Sequence, residues 1–274
     1  MNPTDGMTGW HTPDYLVPVI DMHAHPPYDR TKTLPMLDAA RAVGIERLIL
    51  CSLSYSDMPA YPPVAEVRKG NEEVYGLIER HPGFVHGLVY VNPVNPNPAE
   101  TRGILEEGLA QPGVLGIKLW ISCRDEAGRM DPIYPVLELA QDRGVPVLIH
   151  TFMRTGGNLP GELDPMDIAY LAQRYPRLSI AMAHLGGNWV RGVRVVAPYP
   201  NVFPDCSGAR AYDGCIEHAV AEVGAERLLF GSDAFIRAFA GQLAKVVAAE
   251  IPVAVKRRIL YENSAALFFG EGRP

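Results

Sequence analysis

The sequence predicts an α/β fold, a single (β/α)8 TIM barrel, on three observations. Short apolar runs rich in β-branched residues alternate with longer helical patterns, which is typical of parallel strands joined by helices. The length of 274 residues suits one such barrel. No Gly/Ser-rich linker divides the chain, so we expect residues 1–274 to form one domain, with residues 1–16 as an N-terminal extension. An open doubly wound sheet is the alternative.

Eight strands and the helices between them can be located in order. The expected strands are residues 17–21, 47–53, 84–91, 114–120, 145–150, 178–184, 201–205 and 227–231. The seventh is the weakest, because Pro204 has no backbone N–H for a ladder, and we expect a slight distortion of the barrel there. The expected helices are residues 34–43, 71–81, 99–109, 132–143, 165–175, 213–223 and 237–250, with a short one near 189–197.

Several predicted helices have recognisable ends. Gly44 and Gly144 follow the last periodic residue of a helix, where a left-handed C-cap is common. Asp131 and Asp164 each precede a proline, the pattern of an N-cap followed by proline at the first helical position. We therefore expect these two carboxylates to cap helices.

The composition limits the class of function. Hydrophobic residues are 47%, charged residues are 20% and the net charge is -6, which fits a globular protein and disfavours a general binder of nucleic acid or anionic membrane. No apolar stretch of about 18 residues and no basic start followed by an apolar run is present. We expect a cytoplasmic protein with a small-molecule substrate and with neither nucleic acid nor membrane as partner; assembly into a homo-oligomer is left open.

The four cysteines carry no recognisable motif. They are far apart and form no CxxC pair, so we expect reduced thiols without a role rather than a disulfide framework or a structural zinc site. They are Cys51, Cys123, Cys206 and Cys215.

The strongest chemical signal is the segment Asp21-Met22-His23-Ala24-His25, directly after the first predicted strand. The two-residue period of extended chain places His23 and His25 on one side, so that both imidazoles can converge on one ion. Two polar loop histidines are the alternative interpretation of an isolated HxH pair. Asp21 would either orient a ligand histidine or cap the strand end.

Other predicted strands end in the same kind of residue. His150 ends the fifth strand, His184 ends the sixth, and Asp233 follows the eighth in Gly231-Ser232-Asp233. The carboxyl ends of barrel strands open onto one face, where active sites of this fold lie. A single buried histidine is usually a packing residue, but burying several unpaired polar groups together is costly. The pattern therefore favours a metal site.

These motifs together resemble the amidohydrolase superfamily, specifically its amidohydrolase-2 branch. The resemblance also includes the closing segment Glu262-Asn263-Ser264-Ala265-Ala266-Leu267-Phe268 and extends over residues 17–268. It implies one divalent metal ion, most often zinc, held by His23, His25, His150 and Asp233. It further implies that His184 polarises the substrate or transfers a proton, and that Asp233 also serves as the catalytic base.

Lys118, near the end of the fourth predicted strand, has three possible roles. Some members of the superfamily carry a carbamylated lysine there that bridges two metal ions, whereas the amidohydrolase-2 branch generally resembles mononuclear enzymes. Lys118 would otherwise bind a substrate carboxylate, or extend from the barrel wall with its charge towards solvent. Substrate contact is the reading we prefer, and a second ion bridged by Lys118 is the less favoured one.

Arginine and aromatic residues are frequent in the loops after the strands. Several guanidinium groups on one face would suit an acidic substrate, because each can grip a carboxylate in a bidentate fork. Each arginine alone would be an ordinary surface charge, and the aromatic rings would otherwise be rim packing. The residues are Arg124, Arg154, Arg191, Arg210 and Arg237, with Trp120, Phe152, Trp189 and Phe235; we expect Arg154, Arg191, Arg210 and Trp120 to contact substrate.

Three functions are compatible with this site. The first is a metal-dependent hydrolase in which metal-activated water attacks a lactone, ester or amide of a small carboxylate-bearing molecule. The second is a non-oxidative, metal-dependent decarboxylase of an aromatic or unsaturated acid, a lyase. The chain is shorter than such decarboxylases tend to be, and the segment from His184 to Asn188 lacks the Gly-Glu that some show, so hydrolysis is preferred. The third is a non-catalytic barrel that binds a metal or a ligand.

Overall fold

Seven parallel strands form one sheet in which each strand pairs with the next along the sequence. The computed structural model describes residues 12–16, 18–208 and 210–272. Within them the strands are β1 Val19–Ala24, β2 Ile45–Cys51, β3 Val85–Tyr90, β4 Val114–Leu119, β5 Val147–Ile149, β6 Ile180–Met182 and β7 Val202–Pro204. The start of the first predicted strand at Val17 and residues 1–11 of the expected extension lie outside the described residues.

The eighth predicted strand, residues 227–231, is not a strand in the described part of the chain. Leu229 instead makes an isolated bridge to Asp205, just after β7, and Ala234 makes one to Ala24 at the end of β1. The segment therefore bonds to both edge strands of the sheet without forming a continuous ladder.

Side-chain hydrogen bonds occupy the backbone directly after this segment. The backbone N–H of Ser232 donates to Asp21 Oδ1 at 2.9 Å, and the Ser232 hydroxyl accepts the backbone N–H of Ala234 at 3.0 Å. Backbone groups bonded to side chains are not available for strand pairing. The prediction of a continuous eighth strand was therefore wrong at this segment.

The strands carry two separate apolar clusters on their two faces. Leu48 and Leu50 of β2 belong to the larger cluster, which includes helix residues, whereas Ile49 and Cys51 belong to a smaller one. Alternation of this kind follows from the two-residue period of a strand. The smaller cluster joins residues from strands as far apart as β1 and β6, so it lies on the inner face of a curled sheet.

Helices follow most of the strands. Among the described residues they are α1 Thr33–Ala42, α2 Val64–Arg80, α3 Pro98–Leu109, α4 Tyr134–Arg143, α5 Pro165–Arg174, α6 Trp189–Val196, α7 Cys215–Val223, α8 Phe239–Ala248, α9 Val253–Arg257 and α10 Asn263–Phe269. The predicted helices match these within a few residues, except that α2 begins seven residues before the predicted residue 71. None of the described helices has the length and apolar character needed to cross a bilayer.

The predicted caps were right at three positions and wrong at one. Asp164 accepts hydrogen bonds from the backbone N–H groups of Met166 and Asp167 and completes a capping box at α5. Gly44 and Gly144 have positive φ angles of 89° and 64°. Asp131 does not cap, because it is itself the first residue of a 3-10 helix that continues directly into α4.

The closing motif of the sequence has a packing role in the structure. Leu267 and Phe268 of α10 join the inner-face cluster of the sheet. The Asn263 side chain donates to the carbonyls of Ala225 and Leu228, each at 2.7 Å. This helix therefore holds the segment that leads to Asp233.

Candidate metal centre and adjoining cleft

His23 and His25 are each held through Nδ1. The Nδ1 of His23 donates to Asp205 Oδ2 at 2.9 Å, and the Nδ1 of His25 donates to the Cys51 carbonyl at 2.8 Å. Metal-binding histidines are usually oriented in this way, by a carboxylate or carbonyl on the ring nitrogen that does not ligate. The Nε2 atoms of both rings are then the nitrogens that an ion would approach; at present they face Lys118 and Asp233 respectively.

His184 and Asp233 lie at chain bends with left-handed backbone. Their φ angles are 62° and 60°, and with Leu185 at 50° they are the non-glycine residues with positive φ in the described ranges. Such conformations are sparsely populated and persist where the surrounding structure enforces them, often at functional sites. The backbone N–H of Asp233 donates to the His23 carbonyl at 2.7 Å, which helps to hold this bend.

The four strand-end groups converge. Donor atoms of His23, His184 and Asp233 all lie within 4.8 Å of one another, and His25 Nε2 lies 3.3 Å from Asp233 Oδ1. Imidazole nitrogens and a carboxylate oxygen are ligands that suit zinc and other first-row divalent ions. The donor set therefore fits a divalent metal ion.

His150 adjoins this group through His184. Its Nδ1 lies 3.2 Å from His184 Nε2, and its Nε2 donates to Glu162 Oε1 at 2.8 Å. The His150 ring is thus fixed on its outer side by a carboxylate and faces His184 on its inner side. We expected His184 to act on the substrate and His150 to ligate the metal. In the structure it is His184 whose donor atom lies with those of His23 and Asp233.

Burial keeps three of the imidazoles neutral. Burial, aided by the nearby charge of Lys118, lowers the pKa of His23 to about 4. Burial likewise lowers the pKa of His184 to about 3 and shifts that of His150 downward. Neutral imidazoles are the form that ligates metal ions, so these rings are in the required protonation state at neutral pH.

His25 and Asp233 form an ion pair. Burial alone would lower the pKa of His25, but Cys51 and Asp233 raise it to about 10. Burial alone would raise the pKa of Asp233, yet the hydrogen bond with His25 and the nearby imidazoles move it far below its usual range. Asp233 therefore stays a carboxylate across the physiological pH range.

Asp205 and Glu162 are central to the site, although neither was predicted from the sequence as a site residue. Asp205 is buried and accepts from His23 Nδ1 as well as from the backbone N–H groups of His184 and Ser207, at 3.2 and 2.7 Å. It is the last residue of the seventh predicted strand, so its position at a strand end was a usable signal. Glu162 lies in a loop without periodicity, and no pattern indicated its role.

Lys118 lies on the inner face of the sheet, where its ammonium donates to His23 Nε2 at 3.0 Å. The side chain is buried, and burial lowers its pKa. Of the roles considered, solvent exposure is excluded by this burial. Contact between Lys118 and a substrate group bound beside His23 is compatible with this position.

A cleft of about 600 Å³ opens beside the histidines. Three of the loop arginines, Arg154, Arg210 and Arg237, line it. The ring of Phe152 also lines the cleft, and its centroid lies 6.2 Å from that of His150. The cleft is thus cationic and separated from the candidate metal centre by one aromatic ring.

The remaining predicted contact residues lie elsewhere. Trp120 is buried directly after β4, Arg191 is exposed in α6, and Arg124 pairs with Asp167. Arg154 lines the cleft but binds both oxygens of Glu162, each at 2.8 Å, so part of its charge is already neutralised.

Solved structures with the same fold extend over almost the whole chain. The 5-carboxyvanillate decarboxylase of Sphingomonas paucimobilis is 18% identical, with a TM-score of 0.67 over 89% of this chain and 86% of that one. A dihydroxybenzoic acid decarboxylase of Polaromonas sp. JS666 with bound manganese is 17% identical, with a TM-score of 0.72 over 92% and 96%. A protein provisionally named 2-pyrone-4,6-dicarboxylic acid hydrolase, from Pseudomonas putida, is 20% identical, with a TM-score of 0.65 over 93% and 99%.

A parallel α/β sheet with histidines and an aspartate at its strand ends defines a class, the metal-dependent enzymes of the amidohydrolase superfamily. The family model described as amidohydrolase, of the amidohydrolase-2 type, matches residues 20–270, and the chain therefore belongs to that family. A search of curated proteins gave no match. At the identities found, likeness to the solved structures establishes the fold and leaves the reaction to be argued from the site.

Proposed function

We propose that the chain is a metal-dependent hydrolase acting on a lactone, ester or amide of a small carboxylate-bearing molecule. The observation that carries this proposal is the position of the cationic cleft, which shares Phe152 with the surroundings of His150 and His184. A carboxylate bound by the arginines would place a neighbouring carbonyl group near the histidines. As part of the proposal, residues 229–234 close the sheet into a (β/α)8 barrel.

One divalent ion, with zinc as our first choice, fits the donor set. His23, His25 and Asp233 would hold it, with an imidazole from His150 or His184 as the fourth ligand; the facing nitrogens of these two rings are 3.2 Å apart. When bound, such an ion polarises a carbonyl oxygen and lowers the pKa of water at the site to about 7.

The residues of the chain supply the proton transfers and the binding. Asp233 is a carboxylate at neutral pH and is placed to accept a proton from the attacking water. His184 is neutral, with Nδ1 3.0 Å from the Ser207 hydroxyl, and can donate a hydrogen bond to the developing oxyanion. Arg210 and Arg237 can bind a substrate carboxylate through charge-assisted hydrogen bonds.

Decarboxylation of an aromatic or unsaturated acid is the second candidate. Two of the structural neighbours described above are named decarboxylases, and one is named a hydrolase. The arginine cleft would serve either reaction, since an acid is a plausible hydrolase substrate and the required decarboxylase substrate.

The two reactions differ in their products. We expect the metal-loaded chain to open lactones of di- and tricarboxylic acids with gain of one water, and to leave hydroxybenzoates unchanged. Mass spectrometry and carbon dioxide release over parallel panels of both compound classes would measure this. Carbon dioxide release without uptake of water would replace hydrolysis by decarboxylation.

Site variants test the roles of the residues and the non-catalytic alternative. Asp233→Asn should reduce kcat by about 100- to 10,000-fold, the usual contribution of a general base. Arg237→Ala should raise KM by about tenfold or more, whereas Arg191→Ala, exposed and outside the cleft lining, is the matched control. Full physiological function in Asp233→Asn and His184→Ala would instead support a non-catalytic barrel.

A further inference from the structure

Cys51 lies against the histidine pair, although the sequence assigned it no role. It is the last residue of β2, on the inner face of the sheet, and it is fully buried. Its Sγ lies 3.4 Å from His25 Nδ1 and 3.6 Å from the Ala24 carbonyl oxygen. A buried cysteine is usually a small apolar residue, but this thiol faces an imidazole nitrogen.

The separation of these two atoms matches that of two ligands on one ion. Zinc binds nitrogen at about 2.0 Å and sulfur at about 2.3 Å, and a tetrahedral angle then places the two ligand atoms about 3.5 Å apart. The observed His25 to Cys51 distance is 3.4 Å. Donor atoms of His23, His25 and Cys51 all lie within 4.8 Å of one another. The three side chains therefore form a second donor group.

We propose that His23, His25 and Cys51 form a metal position of their own, which takes strongly thiophilic divalent ions such as cadmium. The group His23, His184 and Asp233 offers a carboxylate instead and suits harder ions such as manganese. Because His23 belongs to both groups, an ion occupies one position or the other. Cys51 thereby determines which metal the chain retains.

Binding at this position exchanges one set of bonds for another. The Nδ1 of His25 leaves the Cys51 carbonyl, to which it donates at 2.8 Å, and binds the ion. The thiol binds as thiolate, and both its proton and the proton carried by His25 Nδ1 leave to solvent. Bonds from the ion to a thiolate and to an imidazole replace a hydrogen bond to a carbonyl, and the sulfur ligand makes the exchange favour soft ions. This position does not depend on which reaction the protein catalyses.

Cadmium and manganese titrations of the full chain test the proposal. Metal is first removed with a chelator, and Cd²⁺ or Mn²⁺ is then added to the parent, Cys51→Ser and Cys123→Ser chains. We expect Cd²⁺ to produce the ultraviolet charge-transfer absorbance of a cadmium–thiolate bond in the parent and in Cys123→Ser, but not in Cys51→Ser. We also expect Cys51→Ser to weaken Cd²⁺ binding by about 100-fold or more, above the usual effect of losing a supporting group.

Cys123→Ser is a matched control, because Cys123 is also buried but its thiol donates to the Trp120 carbonyl at 3.0 Å. Mn²⁺ affinity, measured by electron paramagnetic resonance, should change less than about threefold in Cys51→Ser. X-ray absorption of the Cd²⁺-loaded parent needs no variant and should show one sulfur neighbour. A neighbour shell of nitrogen and oxygen alone, or absorbance that persists in Cys51→Ser, would overturn the proposal.

Discussion

Replacing Glu162 by glutamine tests whether the loop after β5 is held by a buried charge. Glu162 is 3% exposed and accepts from His150 Nε2 and from two nitrogens of Arg154, each at 2.8 Å. The backbone N–H of Leu159 adds a further hydrogen bond at 3.0 Å. Glutamine has nearly the same shape but no charge, and its amide nitrogen cannot accept.

The loss of stability follows from the ionisation of this carboxylate. Burial alone would raise the pKa of Glu162, but hydrogen bonds from His150 and Arg154 lower it from 4.5 to about 2. A difference of one pKa unit between the folded and unfolded states is worth about 1.4 kcal/mol, so the lowered pKa contributes about 3 kcal/mol to the free energy of unfolding. The Arg154 side chain is 37% exposed, so we discount the value to about 2 kcal/mol for solvent screening.

The direction of the pH dependence is fixed by the lower pKa in the folded state. The contribution of Glu162 is fully present above pH 4.5 and is lost as the pH falls towards about 2. Urea unfolding of metal-free Glu162→Gln and parent chains, at about pH 7 and about pH 3, would measure it. Removing metal first keeps metal binding from adding to the apparent stability.

Glu126→Gln is a suitable control, because Glu126 is exposed in the loop after β4 and should change stability by less than about 0.5 kcal/mol. Two results would refute the reasoning. One is a Glu162→Gln chain as stable as the parent at neutral pH. The other is a stability difference that does not shrink in acid, because the effect would then not arise from the charge.

Two further substitutions test the geometry of the centre. In Gly208→Ala, where φ is +74°, the added Cβ would lie 2.3 Å from His184 Nδ1. Displacement of the His184 ring should lower kcat/KM about 100-fold while the circular dichroism spectrum stays unchanged. A loss of kcat/KM below twofold would contradict this. Asp205→Asn removes the carboxylate that orients His23 and should weaken metal binding about 10- to 100-fold by calorimetry. Asp21→Asn is its control, because Asp21 accepts hydrogen bonds from the backbone N–H groups of His23 and Ser232 and does not bind the ring. Equal losses of metal affinity in the two variants would argue that Asp205 does not act by orienting the His23 ring.

The sequence predicted those parts of the molecule that depend on local period. The spacing of His23 and His25, and the position of His184 and Asp233 at the ends of apolar runs, required only the geometry of extended chain and the topology of a parallel sheet. Glu162 could not be found in this way, because its partner His150 is brought to it by the path of a loop. Three-dimensional proximity of that kind leaves no periodic signal.

The eighth predicted strand shows a second limit. Its residues form a short apolar run, but the segment makes only isolated bridges to the two edge strands, and just beyond it the backbone N–H of Ser232 donates to the side chain of Asp21. Local propensity is overridden here by contacts between residues more than 200 positions apart in the sequence.

The candidate metal centre is held by the sheet, whereas the cleft is formed by loops. Asp205 binds both the His23 ring and the backbone of His184, and thereby links the ends of β1, β6 and β7. The arginines of the cleft lie after the strands, where the chain tolerates change without disturbing the sheet. Substitutions of Arg210 or Arg237 should therefore alter which acid is bound while leaving metal affinity unchanged, and substitutions around Asp205 should do the reverse. With this separation, one set of strand-end ligands would serve either of the two candidate reactions, hydrolysis or decarboxylation, according to how the loops present the substrate carboxylate to the centre.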